Sequence, residues 1–130
     1  MSSEQSPTRP YRVSFVCTGN ICRSPVAAVM TEKAVEQAGL AEVVRVESTG
    51  IQGWHAGDPM DSRSARSLAA RGYDGSLHRA RQMTVDELRE VDLPIALDGG
   101  HLVELQQMAG SDRVERIRLL RSFDPLSEPD

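Results

Sequence analysis

The chain has two cysteines, one tryptophan, two tyrosines and two phenylalanines in 130 residues. Two thiols cannot staple a disulfide-dense secreted scaffold, so a reducing, cytoplasmic setting is the expectation. His55, His78 and His101 lack the spacing of a zinc finger beside a single cysteine pair, and no metal site is assigned to them. No stretch approaches the roughly 18 consecutive apolar residues of a membrane span. The first ten residues, MSSEQSPTRP, also lack the apolar run of a secretory signal. Residues 1–10 therefore read as a flexible tail on a soluble protein with no membrane partner. Fifteen basic against nineteen acidic residues leave a net charge of -4, which argues against a general nucleic-acid binder drawn by phosphate charge. Repeats, low-complexity tracts and internal linkers are missing as well.

What is present suits one domain over residues 11–130, with 39% hydrophobic residues to fill a core. Val13, Phe15 and Val16 mark a β-prone run over 12–17, and the chain must turn at Thr18 and Gly19. Ser24 reads as a cap and Pro25 as a first helical position. Ala27, Met30, Ala34 and Ala38 follow at helical spacing as far as Gly39. A second strand is expected over 43–49 and a second helix over 62–71, with Ala65, Leu68 and Ala69 inward. Thr84 and Glu87 have capping-box spacing for a short helix. A strand over 93–97, a long helix carrying Leu102, Leu105 and Ala109, and a strand over 117–120 complete the chain. This alternation predicts an α/β fold: a doubly wound, four-stranded parallel sheet with helices on both faces, in three α/β/α layers. Ligands of such sheets sit at the carboxyl ends of the strands, by a topological switch point. Cys17 is expected at such an end.

Both cysteines fall in one loop, VCTGNICRSP, residues 16–25. A loop between a strand and a helix N-terminus turns successive backbone N–H groups toward a common point, which suits an oxyanion. Arg23 adds a planar fork for two phosphate oxygens. The thiolate rather than the thiol is the nucleophile, and N–H groups and a guanidinium are surroundings that favour it. Cys17 is therefore a candidate nucleophile toward bound phosphate, with Thr18, Gly19, Asn20, Ile21, Cys22 and Ser24 forming the cradle.

The run C-T-G-N-I-C-R-S-P resembles the signature loop of the low-molecular-weight protein tyrosine phosphatases. Further segments resemble the same family: ESTG at 47–50, GWHAG at 53–57, HRARQ at 78–82 and LLRSFDP at 119–125. The resemblance implies hydrolysis of phosphotyrosine and aryl phosphates through a cysteinyl-phosphate on Cys17, with Arg23 holding the equatorial oxygens and no metal or organic cofactor. It implies that Asn20 and Ser48 brace the loop, that Ser24 donates toward the Cys17 sulfur, and that Trp54 forms a wall of the cleft for a phenyl ring. A reversible Cys17–Cys22 disulfide that guards the nucleophile is implied too. Arg79 and Arg81 read as a solvated face.

Related chemistries are less well matched. Arsenate reductases of similar architecture relay a disulfide through further cysteines, which this chain lacks. Protein-arginine phosphatases resemble the loop but favour threonine where Ile21 stands. The family's general acid is an aspartate in an Asp-Pro pair followed by tyrosines, in a late loop before a last helix. LLRSF matches the stretch upstream of an earlier Asp-Pro, and Tyr11 and Tyr73 cannot fill the motif. The expectation is that the general-acid loop lies outside these residues, with Asp124 a weak substitute and Glu128 and Asp130 weaker ones. A phosphate-binding pseudophosphatase is the alternative reading.

Overall fold

β-branched and aromatic residues make Tyr11–Cys17 a strand, β1, whose last five residues are buried. In a computed structural model of the chain, which describes residues 9–111 and 114–123, β1 lies inside a parallel sheet. It pairs with β2 (Val44–Gly50) on one side and β3 (Leu93–Ala96) on the other, and β4 (Arg118–Leu119) lies beyond β3. The strand order is β2-β1-β3-β4. Successive connections from β1 run first to one side and then to the other, so the switch point falls between the carboxyl ends of β1 and β3.

Burial on both faces explains the near-continuous apolar character of β1. Val13 and Phe15 pack with Ile95 against Ala27 and Ala28 of helix α1 (Arg23–Gln37) on one face. Val16 and Ala96 join Leu88 of α3 (Val85–Glu90) and Leu105 of α4 (Gly99–Ala109) on the other. Helix α2 (Ser62–Ala70) buries Leu68. The expected doubly wound, four-stranded parallel sheet is thus the observed one. Ser14, fully buried in β1, shares a hydrogen bond with Thr49 at 3.3 Å.

The element ends depart from expectation for identifiable reasons. Helix α1 starts at Arg23, with Cys22 at its cap position and no side-chain cap; Ser24 is not the cap, because its hydroxyl is turned to the Cys17 sulfur. Met30, Ala34 and Ala38 are exposed, and Ala27 and Ala28 carry the contact with the sheet. Alanine fits either side of a helix, so its spacing marks no face. Ala69 is exposed for the same reason. The caps of α2 and α4 are Asp61, which accepts from Ser64 N at 3.2 Å, and Asp98, which accepts from His101 N at 3.0 Å. Thr84 caps α3 as expected, at 3.1 Å from Glu87 N. The Glu87 side chain turns away to Arg81 and Arg12. β4 is two residues long because Leu120 leaves the ladder for the layer beside Ile95.

Residues 1–8 of the expected tail lie outside the described residues. Arg9 lays its fork on Asp92, with N···O distances of 2.9 and 3.0 Å. No helix among the described residues is long and apolar enough to cross a membrane.

Candidate active site

The loop leaving β1 curls with its carbonyls drawn to neighbouring segments. The carbonyls of Cys17 and Thr18 accept from Ile51 N and Gln52 N, each at 2.9 Å, and that of Ile21 accepts from Asp61 N at 2.8 Å. The Asn20 carbonyl accepts from His78 Nε2 at 2.7 Å. No backbone carbonyl among the described residues takes the N–H groups of Gly19 to Ser24, an arrangement that suits an oxyanion.

Asn20 makes the closure possible. Its φ of 60° is the left-handed region, which asparagine tolerates better than most residues. Its buried side chain donates to Ser24 Oγ and Ser48 Oγ, each at 2.9 Å, and accepts from Arg81 N at 2.9 Å. Ser24 Oγ lies 2.9 Å from Cys17 Sγ and 3.3 Å from the Thr49 carbonyl. Ser24 Oγ accepts from the Asn20 amide and has one proton to share between two neighbours, the Cys17 sulfur and the Thr49 carbonyl. Cys17 itself is 4% exposed, at the floor of the loop.

Gly50, at the end of β2, lets the loop lie against the sheet. A Cβ there would stand 2.8 Å from the Thr18 carbonyl oxygen and 3.0 Å from Gly19 C. Arg23 opens α1 beside the cradle and donates from Nη2 to Asp98 Oδ2 at 3.1 Å, leaving the other edge of its fork unpaired in that bond. Hydrogen bonds from His101 N and Arg23 lower the Asp98 pKa below the usual carboxylate value.

The three histidines, to which the sequence assigns no metal site, all reach this loop. The His55 ring stands where a Gly19 Cβ would be, with Cδ2 at 2.9 Å from that position. His78 holds Asn20, and His101 Nε2 lies 2.8 Å from Thr18 Oγ1. They come from three separate segments, so no spacing could have revealed their convergence. Burial lowers the pKa of both His78 and His101. Arg81 is likewise more than a solvated face: its guanidinium pairs with Glu47 and Glu87 while its N–H serves Asn20.

Trp54 is 73% exposed, so packing within its own loop does not account for it. That loop is fastened to the HRARQ segment by Gly57 N to Ala80 O and Ala80 N to Asp58 O, each 2.8 Å. Cys22 is exposed and is not in a disulfide; partial desolvation and the Asp61 carboxylate push its thiol up. Among the described residues no group of His, Cys, Asp or Glu could hold a metal ion. Asp124, Glu128 and Asp130 lie outside the described residues.

Fold and loop together define an α/β protein with a Cys-x5-Arg-Ser loop between its first strand and first helix, at the switch point of a parallel sheet. The family model of the low molecular weight phosphotyrosine protein phosphatases matches residues 12–130. A low molecular weight protein-tyrosine-phosphatase of Streptomyces coelicolor is 48% identical over 116 residues, covering 88% of this chain and 70% of that relative. The crystal structure of YfkJ from Bacillus subtilis superposes with a TM-score of 0.89 at 32% identity, over 96% of this chain and 81% of that one. That of a Drosophila arginine phosphatase does so with a TM-score of 0.78 at 31% identity, over 85% and 71%. The chain belongs to the low molecular weight phosphotyrosine protein phosphatase family, and its enzyme class is that of the phosphoric monoester hydrolases.

Proposed function

We propose that the chain hydrolyses phosphotyrosine in proteins, and aryl phosphates generally, through a cysteinyl-phosphate intermediate. The observation that carries this reading is the loop of Cys17 to Ser24, with its carbonyls bonded outward and the Ser24 hydroxyl 2.9 Å from Sγ. The Cys17 thiolate attacks phosphorus and forms the S–P bond as the bond to the aryl oxygen breaks. That oxygen leaves with a proton from a general acid, for which Asp124 is the substitute candidate in this sequence. Water then attacks phosphorus, releasing phosphate and restoring the thiolate. Arg23 holds two equatorial oxygens bidentately, and the N–H groups of Gly19 to Ser24 receive the charge that grows on them.

Substrate choice follows from the cleft. The exposed indole of Trp54 offers a face for a phenyl ring, and Ile21 gives the loop an apolar lip, which favours an aryl ester over a guanidinium phosphate. Cys22, in the same loop, would serve as the resolving partner of an oxidised Cys17. Oxyanions such as inorganic phosphate are expected to bind the same loop.

Steady-state turnover of a phosphotyrosine peptide and of para-nitrophenyl phosphate, with Cys17→Ser as control, tests this. Both substrates should turn over and the control should be inactive. General acid catalysis typically contributes about 10²- to 10⁴-fold. Turnover of the activated ester alone would mean that the acid is not supplied by these residues. Phosphate binding with no turnover of either ester would replace the reading with a pseudophosphatase.

A further inference from the structure

We infer that His101 is a positioning residue for the phosphate loop, joining Thr18, the first residue after the nucleophile, to Asp98, the carboxylate that holds Arg23. The inference deepens the proposed function and rests on it.

A buried imidazole needs polar partners, because leaving one without them costs about 1 to 3 kcal/mol. His101 is 6% exposed, and two groups face it. Thr18 Oγ1 lies 2.8 Å from Nε2. Asp98 Oδ1 lies 3.2 Å from Nδ1, within ion-pair range though misaligned for a hydrogen bond. The carboxylate selects the tautomer with the proton on Nδ1, since the other form would point a lone pair at a negative oxygen. Nε2 is then an acceptor, and Thr18 donates its hydroxyl proton to it. Asp98 Oδ2 meanwhile accepts from Arg23 Nη2 at 3.1 Å.

The chain Thr18–His101–Asp98–Arg23 thus spans both ends of the cradle. Thr18 opens the loop on the β1 side, and Arg23 closes it on the α1 side. Both are tied to the first turn of α4, a rigid element buried through Leu105. With the hydroxyl committed to His101, Thr18 cannot rotate to bond its own backbone, and the neighbouring N–H groups keep one orientation. Asp98, whose Oδ1 accepts from the His101 N–H at 3.0 Å and faces the imidazole at 3.2 Å, offers Arg23 a fixed rather than a mobile partner. His101 touches no substrate atom in this scheme. It acts through Thr18 and Asp98.

The experiment measures the affinity of inorganic phosphate by calorimetry, together with kcat and KM for para-nitrophenyl phosphate, in four variants. These are Thr18→Val, His101→Leu, the double variant and His101→Gln. Thermal melts check that each is folded, and Thr18, being exposed, tolerates valine without a cavity. Each single loss should weaken phosphate about tenfold, the upper end for one hydrogen bond. The double variant should be no weaker than the worse single one, because the two residues act through one bond. His101→Gln, whose side-chain amide reaches the position of Nε2, should recover most of the affinity. KM should rise more than kcat falls. The nitrogen-15 spectrum of the ring should show Nε2 as an unprotonated acceptor whose shift moves in Thr18→Val.

Phosphate affinity within twofold of the parent in Thr18→Val, or additive losses in the double variant, would overturn the inference while leaving the phosphate loop intact. A parent chain that binds no phosphate would overturn the loop reading itself and this inference with it. The two failures are therefore distinct.

Discussion

One side chain, that of Asn20, decides whether the loop closes. It reads the backbone through φ and holds three groups at once: Ser24, Ser48 and the Arg81 N–H. These two jobs separate by substitution. In Asn20→Ala both are lost, since alanine in the left-handed region costs roughly 1 kcal/mol more than glycine and each buried partner left bare costs about 1 to 3 kcal/mol. Asn20→Gly restores only the backbone freedom. Urea unfolding should therefore show Asn20→Ala destabilised by about 3 kcal/mol or more and Asn20→Gly by about 1 kcal/mol less than that. Both should lose phosphate binding, which needs the Ser24 hydroxyl held on Sγ. Equal destabilisation of the two variants would show that φ is not the constraint. Phosphate binding retained by either would show that the brace is dispensable.

At the scale of elements, the end of β2 matters as much as the loop that it supports. A methyl group on Gly50 would press on the backbone of Thr18 and Gly19, which cannot swing aside as a flexible side chain would. Overpacking of this kind typically costs about 1 to 3 kcal/mol, and here the relief lies in lifting the loop. Gly50→Ala should fold, with its thermal midpoint lowered modestly, and should bind phosphate more than tenfold more weakly. Unchanged phosphate affinity in calorimetry would mean that the loop does not depend on this close approach. The same stretch shows what a sequence reveals. Cys17, Arg23 and the loop between them are contiguous, so their grouping was legible, and so were four strands from β-prone runs. Ser24 was misread as a cap because a serine before proline serves a helix start and a thiolate equally well. The inward face of α1 was not marked in the sequence, because alanines give no contrast. Asp98 passed unnoticed because it follows an apolar strand and shows its two jobs, capping α4 and holding Arg23, only after the strand has brought it beside the loop. The three histidines converge through tertiary contacts that no local pattern encodes.

For the molecule as a whole, two of those histidines, His78 and His101, couple stability to pH. His78 and His101 both have pKa values lowered by burial, and His78 must keep its Nε2 proton to donate to Asn20 O. Above the unfolded value of about 6.5 both imidazoles are neutral in either state and contribute no pH dependence. As the pH falls below it, the unfolded chain takes up protons that the folded chain refuses, so stability is lost until the lowered folded values are reached. The slope is at most about 1.4 kcal/mol per pH unit for each imidazole, and less for half-buried His78, whose charge solvent screens. Asp92 and Asp98 act in a separate window, because hydrogen bonds lower their pKa values: their contribution is present above about 3.8 and lost as the pH falls through the folded values. Thermal midpoints should therefore fall between pH 7 and pH 5, before any carboxylate window is entered. His78→Gln, which can still donate to the Asn20 carbonyl, combined with His101→Gln should flatten that interval and leave the drop below pH 4 in place. A parent midpoint that stays level from pH 7 to pH 5 would mean that the loop is not held by neutral, buried imidazoles. A double variant that still declines there would move the acid sensitivity to other groups.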